Sequence, residues 1–206
     1  MIRNPKDLPR YTASERANHW LVALGFILMA LSGLSFFHPA LWPLAQLFGG
    51  GVWARMLHPF IGVLLALSFG FMFARFHQLN NMASIDWEWV KRIQEMANGD
   101  DHNMPAQGKY NGGQKLVFWA SAIGLLLMAL SGIVLWRAYF SFPVTLVRLA
   151  AVIHAAVGTV LIGVIFVHVY AAIWVKGTIR AMLYGTVTRA WAKQHHATWY
   201  RQMIDG

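Results

Sequence analysis

The chain contains no cysteine, and this absence excludes several kinds of chemistry. Disulfides, thiolate-bound iron–sulfur clusters, thiolate-ligated haem and covalent haem attachment through a C-x-x-C-H motif all require cysteine. Any metal that this chain binds must therefore be held by nitrogen, oxygen or methionine sulfur.

Charged residues are also scarce, since they form 12% of the 206 residues whereas 57% are hydrophobic. Such a composition is typical of an integral membrane protein. Four apolar stretches, at about 17–37, 54–75, 115–136 and 149–175, have the length of roughly 20 residues that a helix needs to cross a bilayer. The first stretch is too long for a typical cleaved signal peptide. We predict an all-α, integral membrane four-helix bundle that forms a single domain over residues 1–206.

The basic residues are distributed unevenly between the two ends of these helices. Fourteen of the 17 lysines and arginines lie in the N-terminal segment, the middle loop and the tail, and the other three are Arg55, Arg137 and Arg148. Because basic loops stay in the cytoplasm, both termini and the middle loop are predicted to be cytoplasmic. The charges are dispersed along membrane boundaries, which argues against a nucleic-acid partner and for contact with lipid.

The middle loop, about 76–114, carries an apolar pattern of its own. Ile85, Trp89, Ile93 and Met96 recur at helical spacing among charged residues. This pattern predicts a cytoplasmic amphipathic helix that lies on the membrane or docks a partner subunit.

A short motif recurs at almost the same place in spans 1 and 3. Met29-Ala-Leu-Ser-Gly33 returns as Met128-Ala-Leu-Ser-Gly132, and His58-Pro-Phe-Ile-Gly62 resembles His154-Ala-Ala-Val-Gly158. The repeat indicates two tandem helical hairpins. Gly62 and Gly158 are expected to leave room beside each histidine for a flat cofactor.

Four histidines sort by membrane depth into two pairs. His58 and His154 lie a turn into spans that start at the outer face, whereas His19 and His168 lie near the cytoplasmic ends of their spans. Each pair can supply the two neutral nitrogens that a bis-imidazole haem b requires, so we predict two haems b. A lone intramembrane histidine more often bonds another helix or relays protons, so a haem-free proton channel or transporter is the contrasting interpretation. The five other histidines are expected to be solvated or interfacial.

The middle loop ends in a glycine-rich polar stretch, residues 108–115, that leads directly into span 3. As local structure it predicts a turn and a helix start. Functionally, its amides lie at the predicted level of His19 and His168, where a quinone headgroup needs hydrogen-bond donors.

Several motifs together resemble the gamma, or cytochrome b, subunit of respiratory formate dehydrogenase, over nearly the whole chain. They are Asn18-His19-Trp20, Arg55-Met-Leu-His58-Pro-Phe, Lys109-Tyr-Asn-Gly-Gly-Gln-Lys115, Ile153-His154-Ala-Ala-Val-Gly158, His168-Val-Tyr, Trp174-Val-Lys-Gly177 and the tail from Trp191 to Tyr200. The glycine-rich motif is the most specific of them.

This resemblance implies a di-haem anchor in the bacterial inner membrane, in anaerobic or formate respiration. The anchor passes electrons from a periplasmic iron–sulfur (beta) subunit through two haems b to quinone near the cytoplasm. It implies that His58 and His154 hold the outer haem and His19 and His168 the inner one. It places the quinone, menaquinone or ubiquinone, at Asn111, Gly113 and Gln114. Alanine in place of Gly112 is expected to be a small change.

Formate oxidation itself is expected on a molybdenum- or tungsten-containing catalytic (alpha) subunit, because this chain has no pterin site and no cluster ligands. The closer alternative is the b-type cytochrome of a membrane-bound hydrogenase or related reductase, which shares four helices and histidine-held haems. The stretch at 109–115 argues against that alternative.

Overall fold

The structure is a computed structural model, and it describes residues 6–99 and 104–205. Within these ranges the chain forms nine α-helices. They are α1 (Ala13–Phe37), α2 (Gly51–Phe76), α3 (Ser84–Lys91), α4 (Ile93–Ala97), α5 (Gly112–Leu135), α6 (Val144–Trp174), α7 (Thr178–Tyr184), α8 (Arg189–His195) and α9 (Ala197–Asp205). A 3₁₀ segment, Pro39–Phe48, joins α1 to α2. Arg3, one of the basic residues of the N-terminal segment, and His102, one of the five histidines expected to be solvated or interfacial, lie outside the described residues.

Four helices, α1, α2, α5 and α6, are long and apolar enough to cross a membrane. Large apolar side chains along them are exposed, as Phe71 (72%), Val152 (67%) and Phe166 (72%) illustrate. Helices whose outward surface is this apolar belong in lipid, so the predicted all-α membrane architecture is confirmed.

The four long helices begin three to five residues before the predicted spans. At α1, Thr12 and Glu15 cap each other, since the Thr12 amide donates to the Glu15 carboxylate at 2.7 Å and the Glu15 amide donates to the Thr12 hydroxyl at 3.3 Å. Such capping boxes extend a helix into polar sequence, which a hydropathy pattern does not detect.

The chain divides into two compact units. Unit 1 comprises Met1–Arg16, Arg75–Trp119 and Phe166–Gly206, and unit 2 comprises Ala17–Ala74 and Ala120–Ile165. Unit 2 thus holds most of the four long helices, whereas unit 1 holds the chain ends and the middle segment.

In unit 2 the helices pack through small residues. A Cβ at Gly25 of α1 would contact the Leu65 side chain of α2 at 3.4 Å, and a Cβ at Gly124 of α5 would lie only 2.5 Å from Leu161 of α6. Close approach at small residues is the usual mode of helix packing in bilayers.

Unit 1 contains a small folded region that the sequence did not predict. Two-residue strands, β1 (Leu8–Pro9) and β2 (Thr186–Val187), pair antiparallel with Leu8 opposite Val187. Beneath them lies a hydrophobic core, whose buried members are Leu8, Ala181, Val187, Trp191, Ala192 and Trp199.

The predicted amphipathic segment is helical, but it is divided into α3 and α4 at Arg92, whose φ of −101° and ψ of 12° interrupt the helix. Trp89 is buried, whereas Ile85 and Ile93 are exposed. The break at Arg92 therefore interrupts the predicted apolar face, and Trp89 is the residue of that face that is buried.

Candidate functional site

The outer histidines, His58 on α2 and His154 on α6, lie together in unit 2. Their ring centroids are 6.2 Å apart and the ring planes are inclined at 62°. Two imidazoles that each place a nitrogen about 2 Å from one shared metal have centroids roughly 6 Å apart. The pair predicted from sequence therefore has the spacing of two axial ligands.

Each histidine contacts the serine of the repeated motif in its own hairpin. His58 Nδ1 lies 2.7 Å from Ser32 Oγ, and His154 Nδ1 lies 2.8 Å from Ser131 Oγ. Both serines are buried. The two hairpins thus repeat a side-chain contact as well as a sequence.

The single proton of each serine hydroxyl is already committed. Ser32 Oγ donates to the Leu28 carbonyl at 2.7 Å, and Ser131 Oγ donates to the Leu127 carbonyl at 2.7 Å. Since a hydroxyl has one proton, each serine must accept from the histidine, which makes Nδ1 the protonated nitrogen. Nε2 then carries the lone pair that a metal ligand needs.

The glycine after each serine lies beside the same histidine. A Cβ at Gly33 would be 3.4 Å from His58 Cε1, and a Cβ at Gly132 would be 3.5 Å from His154 Cε1. Gly62 and Gly158, which were expected to leave room for a flat cofactor, face the methyl groups of Met29 and Met128 at 3.1 and 3.4 Å from the would-be Cβ.

The donor set fits an iron porphyrin better than a bare ion. No group of three or more His, Cys, Asp or Glu residues within 6–99 and 104–205 is placed to hold a metal. A bare metal ion is usually held by three or four protein ligands, whereas haem brings four nitrogens and needs two imidazoles. The neutral imidazoles of His58 and His154, with centroids 6.2 Å apart, meet that need.

The inner histidines belong to different units, because His19 is in unit 2 and His168 is in unit 1. Each side chain is half-buried. Their pairing as ligands of one cofactor stays a prediction.

The three predicted quinone residues lie at the start of α5, in the same unit as His168. Asn111 and Gln114 form a capping box: the Gln114 amide donates to Asn111 Oδ1 at 2.9 Å, and the Asn111 amide donates to Gln114 Oε1 at 3.1 Å. The predicted turn and helix start are therefore present. The box uses only the side-chain oxygens, and both NH₂ groups stay available as donors.

The glycines here are packed against α3. A Cβ at Gly112 would lie 2.4 Å from the Asp86 carbonyl oxygen, and a Cβ at Gly113 would lie 2.9 Å from the Trp89 ring. The expectation that alanine at Gly112 is a small change is therefore wrong, because backbone atoms of α3 would have to move.

An ion pair holds α3 against α5. Lys115 Nζ lies 2.7 Å from Asp86 Oδ2, and both side chains are largely buried. Lys115 also donates to the Asn81 carbonyl at 3.1 Å, and Asp86 accepts from the Ala83 amide at 2.7 Å. These bonds fix the first turn of α5.

Residues 107–109 are held by the two chain ends. His196 Nδ1 donates to the Gly108 carbonyl at 2.7 Å, and Arg10 Nη2 donates to the Lys109 carbonyl and to His196 Nε2, the latter at 3.2 Å. The Thr198 amide donates to the Gln107 carbonyl at 3.1 Å. We call this set of contacts the tail latch.

The tail latch corrects one sequence expectation. His196 was expected to be solvated or interfacial, but it is 1% exposed. Arg10, at 4% exposed, stacks against Trp191 and Trp199, with its guanidinium carbon 4.9 and 4.8 Å from their ring centroids. Aromatic faces stabilise a buried cation in this way.

Burial changes the proton affinity of the latched groups. Burial and the neighbouring Arg10 lower the pKa of His196 to about 3. Burial also lowers the pKa of Lys109 and raises the pKa of Tyr110. The segment before α5 is thus a desolvated environment in which His196 is neutral at physiological pH.

Sequence reasoning missed the roles of Ser32, Ser131, Arg10 and His196. The repeated motif could have indicated the serines, because a Ser-Gly pair occurs in the helix that precedes each histidine-bearing helix of the outer pair. Arg10 and His196 had no such signal, since 186 residues separate them in the sequence.

Comparison with known proteins identifies the family of this chain. A family model described as prokaryotic cytochrome b561 matches residues 10–185. The cytochrome b556(fdo) subunit of formate dehydrogenase from Escherichia coli K12 is 47% identical over 204 residues, which cover 98% of this chain and 96% of the relative.

Two further relatives carry similar names. The nitrate-inducible cytochrome b556(Fdn) subunit from Escherichia coli K12 is 44% identical over 200 residues, 96% of this chain and 92% of the relative. The Haemophilus influenzae formate dehydrogenase cytochrome b556 subunit is 35% identical over 205 residues, 98% of this chain and 86% of the relative. The resemblance seen in the motifs is confirmed: the chain belongs to the prokaryotic cytochrome b561 family, in the group of formate dehydrogenase cytochrome b subunits.

Proposed function

We propose that this chain is the membrane-anchoring electron-transfer subunit of a formate dehydrogenase complex and that its 206 residues form one di-haem cytochrome b domain. His58 and His154 bind the outer haem b, and His19 and His168 bind the inner one. Asn111, Gly113 and Gln114 form the quinone site. Formate is oxidised on another subunit.

The close pair of His58 and His154 is the observation that carries the proposal. A bound haem b supplies a one-electron iron couple. The protein supplies two neutral imidazoles at 6.2 Å, each with its protonated Nδ1 turned to a serine, and apolar helices that exclude water. Membership of a cytochrome family favours this role over a haem-free proton channel, and the names of the relatives favour formate dehydrogenase over hydrogenase.

The uneven distribution of basic residues supports an orientation of the chain, and inward electron flow is part of the proposal. With both termini cytoplasmic, the outer pair faces the periplasm, where an iron–sulfur subunit delivers electrons that came from the catalytic subunit. The NH₂ groups of Asn111 and Gln114 hold the quinone carbonyl on the cytoplasmic side, where protons for quinol enter. Moving charge across most of the bilayer makes the step electrogenic.

Haem quantitation tests the ligand assignment. The solubilised chain is expected to give a dithionite-reduced minus oxidised spectrum with about two haems b per chain by pyridine haemochrome. His154→Ala is expected to remove one haem and His19→Ala the other, whereas His38→Ala, in an exposed loop, leaves both. A wild-type chain without a Soret band would end the proposal.

The quinone site needs a separate test. Gln114→Leu removes the side-chain NH₂ together with the capping oxygen, whereas Gln114→Glu keeps the oxygen that accepts from Asn111. Both variants are expected to raise the KM for a soluble quinone analogue in the assembled complex while haem content stays at two. Equal KM values in all three proteins would remove Gln114 from the site.

A further inference from the structure

We propose that Ser32 and Ser131 are positioning residues for the outer haem: each accepts the Nδ1 proton of the histidine in its own hairpin and thereby sets ligand strength and redox potential. The proposal rests on the haem role of His58 and His154. It assigns to the serine of each repeated motif the function of orienting a histidine, which packing of the helices alone does not require.

The direction of each acceptor is fixed by a helix backbone. Each hydroxyl proton is directed at its own helix backbone, because Ser32 Oγ donates to the carbonyls of Leu28 and Met29 and Ser131 Oγ donates to those of Leu127 and Met128. A lone pair of each oxygen is left for the histidine, which donates at 2.7 or 2.8 Å. This arrangement holds one tautomer and one ring rotation.

Helix structure alone does not explain these contacts. Ser35, a buried serine one turn after Ser32, donates to the Ser32 carbonyl at 2.6 Å and contacts no histidine. A serine can thus be accommodated on the same helix by backbone bonding alone. The two serines that bond histidines occupy the same position in both repeats.

An acceptor at Nδ1 makes the imidazole a stronger donor at Nε2 and favours the oxidised iron. Removal of the acceptor should therefore raise the midpoint potential of the outer haem. It should also weaken haem binding by about 10-fold or more, as outer-shell losses commonly do. Since both serines act on one iron, either alanine should shift the same haem, and the double variant should shift it further.

Potentiometric titration of the solubilised full-length chain tests this. Ser32→Ala and Ser131→Ala are expected to raise the potential of one haem and leave the other at its wild-type value. Ser35→Ala is the matched control, and both potentials should be unchanged. Low-temperature EPR of the oxidised protein should show altered g values for the shifted haem alone.

Haem content separates failure of this proposal from failure of the ligand assignment. If His58→Ala retains both haems, the ligand assignment fails. If His58→Ala loses one haem while Ser32→Ala and Ser131→Ala match Ser35→Ala in potential, the serine proposal alone is overturned.

A serine variant that loses the outer haem altogether also tests the proposal. Titration with haemin should refill such a site at about tenfold or more higher haem concentration, with a raised potential. A site that does not refill has lost its structure, and that result would overturn the positioning role.

Discussion

The two compact units are organised by different rules. Unit 2 repeats itself: histidine, serine and glycine make the same contacts in both hairpins, to within 0.1 Å for the bonds from His58 and His154. Unit 1 has no such internal repetition among the described contacts and is assembled from both chain ends and the middle segment. If His58 and His154 bind one iron, as we propose, both need the same surroundings, and this accounts for the repetition. The region proposed for quinone contains no such pair.

The largest effect should come from filling the glycine positions of the repeat. Gly33→Leu and Gly132→Leu place a branched side chain where even a Cβ lies 3.4 or 3.5 Å from the histidine ring. Each variant is expected to displace its histidine and lose one of the two haems, the same one, by pyridine haemochrome. Gly70→Leu, where nothing lies within 4 Å of a Cβ, should keep both. Loss of a haem in only one of the two repeat variants would break the equivalence of the hairpins.

A smaller effect, confined to unit 1, is expected from Asp86→Ala. The change leaves the largely buried Lys115 without its carboxylate, and breaking such a pair costs about 3 kcal/mol. The amides of residues 112–115 should exchange with deuterium about 100-fold faster, while haem content stays unchanged. Arg92→Ala, which removes an exposed ion pair with Glu95, is the control and should have little effect. Loss of haem in Asp86→Ala would contradict the confinement of this ion pair's role to unit 1.

The tail latch should be weaker than the ion pair. His196→Ala leaves the Gly108 carbonyl without its donor and removes the acceptor of Arg10 Nη2, which costs about 2 kcal/mol. Exchange of the amides at 108–111 should be about 30-fold faster. His195→Ala alters the adjacent, half-buried histidine and is the control; an equal effect in both would contradict the latch.

The last effect, which is no larger than the loss of the tail latch, is a pH dependence confined to unit 1. The pKa of His196 is about 3 in the folded protein and about 6.5 when unfolded, so between these values the unfolded tail binds a proton that the folded tail does not. Stability from this group is therefore present above pH 6.5 and falls as the pH drops toward 3, by at most about 1.4 kcal/mol per pH unit. Proteolysis of the tail at pH 5 and pH 7.5 measures it. The difference should be smaller in His196→Ala, and an unchanged difference would assign the pH dependence to another group.

The apolar length of the membrane spans and the internal repeat made most of unit 2 predictable from the sequence. Apolar length located the four spans, and the pairing of His58 with His154 was evident from their depth and from the repeated motif. Apolar length, the depth of a residue in its span and a repeated motif can all be read directly from a sequence.

The remainder depends on contacts between distant residues. Arg10 with His196, and Leu8 with Val187, join opposite ends of the chain, and no periodicity reports such a contact. The polar first turn of α5 was visible as a glycine-rich motif. Its tight packing on Asp86 and Trp89 requires coordinates, because the space beside Gly112 and Gly113 is set by another helix.

The tail latch also constrains the order in which the chain is completed during synthesis. Residues 107–109 leave the ribosome long before residues 196–198, yet the latter supply the bonds that hold them. All four membrane helices are therefore made before the segment in front of α5 can be fixed, since α6 ends at Trp174. Insertion thus precedes completion of this region, and a chain that stopped before His196 would carry every proposed haem ligand but leave the approach to α5 unsecured.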